Sequence, residues 1–336
     1  YFSRSSSSNS TNPSHTYVTD GNYQVNLIAT SDHGCNDTTQ HSLVIHPEPI
    51  ANFTAADVCA GAPVEFLSTS SISSGSISSW LWDFGDGTNS SSDEPVHIYS
   101  TEGSYPVRLT VTSTNGCTAT VVSNVNIFPN PTAAFISSNV CLGNGSSFIN
   151  QSSVSGGIAY TSIWSFSDGT QSTMTNPTHT FTSSGIFTAI LTITSASGCE
   201  SQSTRMSRVY VPPTTIFTAP DVCFGALTRF DDNSYSQDGH ITSWMWNFGD
   251  NTISTEGNPT HLYAQTGQYN VSLTTTSSFG CSSPYQDSVS IYARPTSRIQ
   301  SANVCEGNPV QFINSTVNNT GTNVTYLWDF GNGFTS

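Results

Sequence analysis

Eight cysteines fix the organisation of this chain. They stand at positions 35, 59, 117, 141, 199, 223, 281 and 305, so the gaps alternate between 24 and 58 and the pattern restarts every 82 residues. A strict period of this size marks a chain built by repetition of one supersecondary unit. A shift of 82 also superimposes Pro49, Pro131, Pro213 and Pro295, then His15, His97, His179 and His261, then Trp82, Trp164, Trp246 and Trp328, with no insertion or deletion. The 336 residues hold three complete repeats, at 49–130, 131–212 and 213–294. They also hold the C-terminal part of a repeat at 1–48 and the N-terminal part of another at 295–336. The opening YFSRSSSSNS has neither an initiating methionine nor a signal peptide and is expected to be an internal start.

Within repeat 49–130, YPVRLTV places Tyr105, Val107, Leu109 and Val111 on one face and Pro106, Arg108 and Thr110 on the other, the alternation of a half-buried strand. WLWDF alternates in the same way, with Trp80, Trp82 and Phe84 together; VEFLS and ANFT are shorter strands, and TATVVSNVNIF closes the unit. Turn-forming stretches separate them, and no helical period of 3.6 is evident. About seven short strands in about 82 residues point to a β-sandwich. Tyr105, Trp82, Phe84, Phe66 and Leu109 are expected to fill its core.

The tryptophan strand runs into GDG (Gly85, Asp86, Gly87), which recurs as Ser167-Asp168-Gly169 and Gly249-Asp250-Asn251. Glycine supplies the positive φ of a tight turn and Asp accepts hydrogen bonds from nearby amides, so this reads as a structural turn. A calcium site is the competing reading. It would need paired carboxylates, yet Asp83 becomes Ser165 and then Asn247, while Asp86 becomes Asn332. No cofactor is expected.

Charge narrows the function. Seven basic residues, all arginine, face 22 acidic ones, for a net charge of −15. A nucleic-acid partner needs a basic footprint, and none is present. No apolar run is long enough to span a bilayer. Only 9% of residues are charged, and a surface of Ser, Thr and Asn suits an extracellular protein.

The segment WLWDFGDGTNSSSDEPVHIYSTEGSYPVRLTVTSTNGC resembles the signature of the polycystic-kidney-disease (PKD) domain: a W-x-F-G-D-G strand and turn, then P-x-H-x-Y, then a G-x-Y-x-V-x-L-x-V strand. The resemblance covers essentially the whole chain. Departures are Phe181 for Tyr99, Ser162 for Trp80, and Asn251 after Gly249-Asp250. The resemblance implies an all-β chain of tandem immunoglobulin-like sandwiches in a head-to-tail array. The NGC and VCxG cysteines resemble those in large surface proteins of gliding and other Bacteroidota, which implies a cell-surface adhesin or filament delivered by type IX secretion.

The cysteines imply an oxidising compartment. Free buried thiols and zinc are weaker readings, since there is no CxxC and no matching histidine cluster. In the implied sandwich, Cys59 follows the first strand and Cys117 lies at the opposite pole, about 20 Å away for a strand of seven residues. A disulfide needs Cα atoms within about 7 Å. Links between repeats, Cys59–Cys199 and Cys141–Cys281, are therefore expected. Cys35, Cys117, Cys223 and Cys305 would look outside this sequence. Pairing within repeats, as Cys59–Cys117, Cys141–Cys199 and Cys223–Cys281, stays open as the competitor.

No G-x-S-x-G, H-E-x-x-H or phosphate loop appears. The recurring histidines read as packed or capping residues, because identical active sites in every unit are rare. Trp80 and Trp244 are candidates for stacking on sugars, but their alternation with Trp82 and Trp246 turns them toward the core. Asp37-Thr38-Thr39 and Asp287-Ser288-Val289 resemble the O-glycosylation signal of Bacteroidota, at Thr38 and Ser288.

The expectation is a non-enzymatic, structural and adhesive stretch of a rod-like array, about 150 Å long for four sandwiches. Its expected partners are neighbouring repeats of the same chain, other copies in a filament, and surface glycans or other cells. The alternative is a spacer, or a carbohydrate- or protein-binding module, of a secreted hydrolase whose catalytic domain lies outside this sequence.

Overall fold

The computed structural model describes residues 6–319 and 324–333, so the first five residues of the opening segment lie outside it. Among these residues the regular structure is β, apart from one 3-10 turn at Ser155–Gly157, and no helix is long and apolar enough to cross a membrane. The chain forms two compact units. The first comprises 1–134, 151–163 and 191–203; the second comprises 135–150, 164–190 and 204–336. Repeat 49–130 lies wholly in the first unit and repeat 213–294 wholly in the second, while repeat 131–212 contributes to both.

Repeat 49–130 builds a five-stranded sheet in the order Val58–Cys59, Thr118–Phe128, Gly103–Ser113, Ile77–Asp83, Asn89–Ser90. The long central hairpin pairs Gly103 with Ile127 through Thr112 with Thr118. Two short ladders lie outside this sheet: Phe53–Thr54 with Leu67–Ser68, and Pro63–Glu65 with Val96–Ile98. Repeat 213–294 reproduces the plan, with Val222–Cys223, Ser282–Tyr292, Gly267–Ser277, Ile241–Asn247 and Ile253–Ser254 in order. The chain is therefore all-β, with tandem immunoglobulin-like domains. The VEFLS segment is interrupted at Phe66, whose amide donates instead to the Pro95 carbonyl.

Inward alternation sets the core. Trp82, Phe84, Phe66 and Leu109 are buried, joined by Phe53, Val64, Tyr99, Val107, Val111, Val125 and Ile127. Trp82 is 0% exposed and spends its one donor on the Ser92 carbonyl, 2.9 Å away. Trp164 and Trp246 are equally buried, donating to the Met174 and Glu256 carbonyls at the same 2.9 Å. Two core expectations need correction. Tyr105 is only half-buried, because its hydroxyl reaches out to the Thr101 carbonyl at 3.1 Å while its ring leans on Tyr99. Trp328 is half-buried against Phe312 and Phe330.

Candidate functional site

The sequence singled out two features, the glycine-aspartate turn and the cysteines. At the turn, Gly85 has φ +78° and an added Cβ would stand 2.9 Å from the Pro106 carbonyl oxygen. Gly249 is tighter, with 2.6 Å to the Asn270 oxygen. At the matching place Ser167 replaces glycine without positive φ, and its hydroxyl and amide bond Thr188 instead. Asn251, where the first repeat has Gly87, adopts φ +73°, a conformation Asn tolerates better than most residues. The Asp83 carboxylate accepts from the Gly85 amide and Asn247 does the same for Gly249, so only a side-chain oxygen is needed there.

Asp86 is the hub of this turn. Its Oδ1 accepts from the Thr88 amide at 3.0 Å and the Thr88 hydroxyl at 2.6 Å, and its Oδ2 lies 2.7 Å from His97 Nε2. The imidazole stacks on Phe84 at 4.3 Å, and Tyr99 meets it edge-on while donating to the Phe84 carbonyl. The arrangement recurs as Asp168–Thr170–His179 on Phe166 and as Asp250–Thr252–His261 on Phe248. Partial burial opposes ionisation of these carboxylates. The hydrogen bonds from threonine and histidine outweigh it, and all three aspartates are held below the usual carboxylate range. Burial pushes the Tyr99 and Tyr263 phenols up.

An Asp, a His and a hydroxyl side by side invite comparison with a catalytic triad, and the geometry argues against one. In a triad the carboxylate holds Nδ1 and the other nitrogen takes the hydroxyl proton. Here carboxylate and hydroxyl converge on the same Nε2, and the threonine proton is already committed to the carboxylate. No nitrogen is left as a base toward Thr88. The carboxylate oxygens are engaged by protein donors, which also fits a turn rather than a calcium ligand. Among the described residues no group of three or more His, Cys, Asp or Glu is placed to hold a metal ion. Sequence reasoning missed this pairing, although Asp and His recur together eleven residues apart at 86 and 97, 168 and 179, and 250 and 261.

The structure joins Cys59 to Cys199 and Cys141 to Cys281, with Cα separations of 5.7 and 5.6 Å. The competing pairs Cys59–Cys117, Cys141–Cys199 and Cys223–Cys281 do not form. Cys59 is not at a simple turn after the first strand: it sits in a two-residue strand running parallel to the sheet edge, opposite Phe128. Cys117 precedes Thr118, at the other end of that same strand. A strand of 11 residues separates the two by about 35 Å at about 3.3 Å per residue. Cys223, opposite Tyr292, and Cys281, before Ser282, are held apart by the same construction. Cys35, Cys223 and Cys305 are exposed free thiols, and Cys117 is half-buried, with its sulfur 4.0 Å from the His46 carbonyl oxygen.

The surroundings of the two disulfides differ. In the first unit, Cys199 closes a tight turn in which the Ser195 amide donates to its carbonyl, and two residues on Ser201 accepts from the Ala133 amide. In the second, Tyr210, the strand partner of Cys141, stacks on Phe279 at 4.1 Å, two residues before Cys281. Arg208 lies over the Tyr210 ring and pairs with Asp238 at 3.0 Å. The Val211 amide, foremost, and the Arg208 guanidinium hold the Asp238 carboxyl below its usual range. The repeat alignment gave no signal for these contacts, because the positions matching Phe279 and Asp238 one repeat earlier are Ser197 and Gly156.

Trp80 and Trp244 are half-buried against the core, with indole nitrogens bonded to Ser68 and Asp232. That leaves neither as a free platform for a sugar. Thr38 and Ser288 are both exposed, and each amide is bonded by the preceding aspartate.

Over 64 residues the chain is 45% identical to collagenase ColA of Bacillus cereus, a match covering 19% of this chain and 7% of that protein. Over 90 residues it is 42% identical to the microbial collagenase of Vibrio alginolyticus, covering 26% and 11%. The crystal structure of the PKD1 domain from the Vibrio cholerae metalloprotease PrtV matches at 39% identity and TM-score 0.22, covering 24% of this chain and 96% of that domain. The chain thus spans only about a tenth of the length of these two curated relatives. The family described as PKD domain matches at residues 2–45, 46–127, 128–211 and 210–291, most of the sequence, and this chain belongs to that family.

Proposed function

We infer that this chain is a run of non-catalytic accessory modules in a longer extracellular protein, and that a secreted hydrolase is the best-supported host. The observation that carries this reading is the company its relatives keep: stretches like this one occupy 7% and 11% of proteins named as collagenases. The repeats would space or position a catalytic domain encoded elsewhere on the same chain. Their polar acidic surface and structural Asp–His turns suit a spacer better than a reaction site.

A structural and adhesive surface array is the second reading, favoured by three complete repeats and parts of two more in unbroken 82-residue register. On that reading the partners are further repeats, other copies of the chain, or surface glycans, and Thr38 and Ser288 are exposed hydroxyls available for glycosylation. Sequencing the complete gene separates the two. A protease or other hydrolase domain in the same open reading frame supports the first, whereas a long uninterrupted series of 82-residue repeats with no catalytic domain overturns it in favour of the second.

A further inference from the structure

The two disulfides interlock along the sequence. Cys59 is joined to Cys199, while Cys141, which lies between them, is joined to Cys281, beyond both. The covalent network therefore has two junctions, one fusing residues 59 and 199 and the other fusing 141 and 281. Three backbone arms connect them: about 82 residues from 59 to 141, about 58 from 199 back to 141, and about 82 from 199 to 281. Crosslinks confined to single repeats would leave only closed loops strung along one line, with no parallel arms.

We propose that this connectivity makes the stretch from Cys59 to Cys281 a triply stranded, length-limited tether, whose repeats can unfold without the chain reaching its full contour and which survives cleavage of any one arm. The proposal goes beyond the accessory-module reading and does not rest on it.

At full extension the shortest covalent route bears the load. It runs from residue 1 to 59, crosses to 199, runs backwards to 141, crosses to 281 and continues to 336. That is about 170 residue steps out of about 335, or roughly 60 nm against roughly 115 nm at 3.3–3.6 Å per residue. The 141–199 arm, which contains Trp164 and the Asp168–His179 turn, becomes taut first. Each of the other two arms then keeps about 24 residues of slack. Separating the two ends by proteolysis between the junctions requires a cut in all three arms, so one nick, or one in each of two arms, leaves them covalently joined.

Single-molecule extension of the whole 336-residue chain, held by its two ends, reads these lengths directly. The thiols of Cys35, Cys117, Cys223 and Cys305 are first capped with N-ethylmaleimide so that no exchange occurs. The oxidised chain is expected to stop at about 60 nm and the reduced chain at about 115 nm, close to a twofold change. With Cys59→Ser and Cys199→Ser together, the remaining Cys141–Cys281 link holds the limit to about 68 nm. Pairing within repeats also shortens the native chain, to about 56 nm, but the same double substitution would then leave only Cys223–Cys281 and lengthen it to about 97 nm. That outcome overturns the proposal, as does an oxidised chain that reaches the reduced length. A second measurement needs no force: a protease site is inserted at Asn130, between Cys117 and Cys141, and cut to completion. One band without reductant and two with it support the tether; two bands without reductant refute it.

Discussion

Changing Asp86, Asp168 and Asp250 together to asparagine tests the claim that the repeated turn is held by its carboxylate. Asparagine keeps an oxygen for the two threonine donors but gives up the charge facing histidine at 2.6–2.7 Å. Hydrogen bonds to a charged group contribute about 1.5–3 kcal/mol. These side chains are 18–26% exposed, so water screens part of that, and a loss of about 1–2 kcal/mol per repeat is expected. For a domain of this size each kcal/mol moves the midpoint by about 4–8 °C, which gives a fall of about 5–15 °C. The sign with pH follows from the folded carboxylates lying below the usual range. Their contribution is complete above the unfolded value of about 3.9 and is lost as pH falls through the lower folded value. Calorimetry of both proteins from pH 7 down toward pH 2 is the assay. The deficit should be full at pH 7 and shrink below pH 4. A deficit that persists unchanged in acid, or none at neutral pH, would show that the carboxylate charge does not hold the turn.

Trp246→Ala empties a fully buried site and should cost about 3–5 kcal/mol, read as a separate low-temperature transition for that repeat in calorimetry. Gly249→Ala sets a Cβ 2.6 Å from the Asn270 oxygen at positive φ and should lose at least about 1–2 kcal/mol. Gly87→Asn should lose far less, since Asn251 already adopts that conformation; denaturant midpoints of the two variants compare them. Phe279→Ala removes the ring stacked on Tyr210 and should cost about 0.5–1.5 kcal/mol beyond the lost burial, while Ser197→Ala at the matching place should leave the midpoint unchanged. Chelation with EDTA should leave the unfolding temperature unchanged within error, because protein donors occupy the turn carboxylates; a clear drop reversed by calcium would return the site to a metal.

The repeat and its strands were legible because they rest on local rules. Alternation in YPVRLTV and WLWDF is a property of neighbouring residues, and the structure buries Trp82, Phe84, Leu109 and Val111 accordingly. Tyr105 shared that alternation yet stayed half-buried, because the Thr101 carbonyl lies within reach of its hydroxyl at the sheet's end, and no pattern of period two records that. The turn was readable as a turn. Its partner was not, although His97 recurs with Asp86, because sequence spacing does not say that Val96–Ile98 passes beside the tryptophan strand's turn.

The sequence by itself determined the unit: its 82-residue length, its strands and its central tryptophan follow from periodicity and residue chemistry. Strand length already favoured links between repeats, but the within-repeat competitor stayed open until the tertiary structure joined Cys59 to Cys199 and Cys141 to Cys281. What only the structure supplied is the parallel two-residue strand that carries Cys59 to the far end of an 11-residue strand from Cys117, which widens the gap between the short-range partners to about 35 Å. The aromatic stack of Tyr210 on Phe279 and the ion pair of Arg208 with Asp238 belong to the same class, since both depend on distant segments being packed together rather than on any residue's own preference.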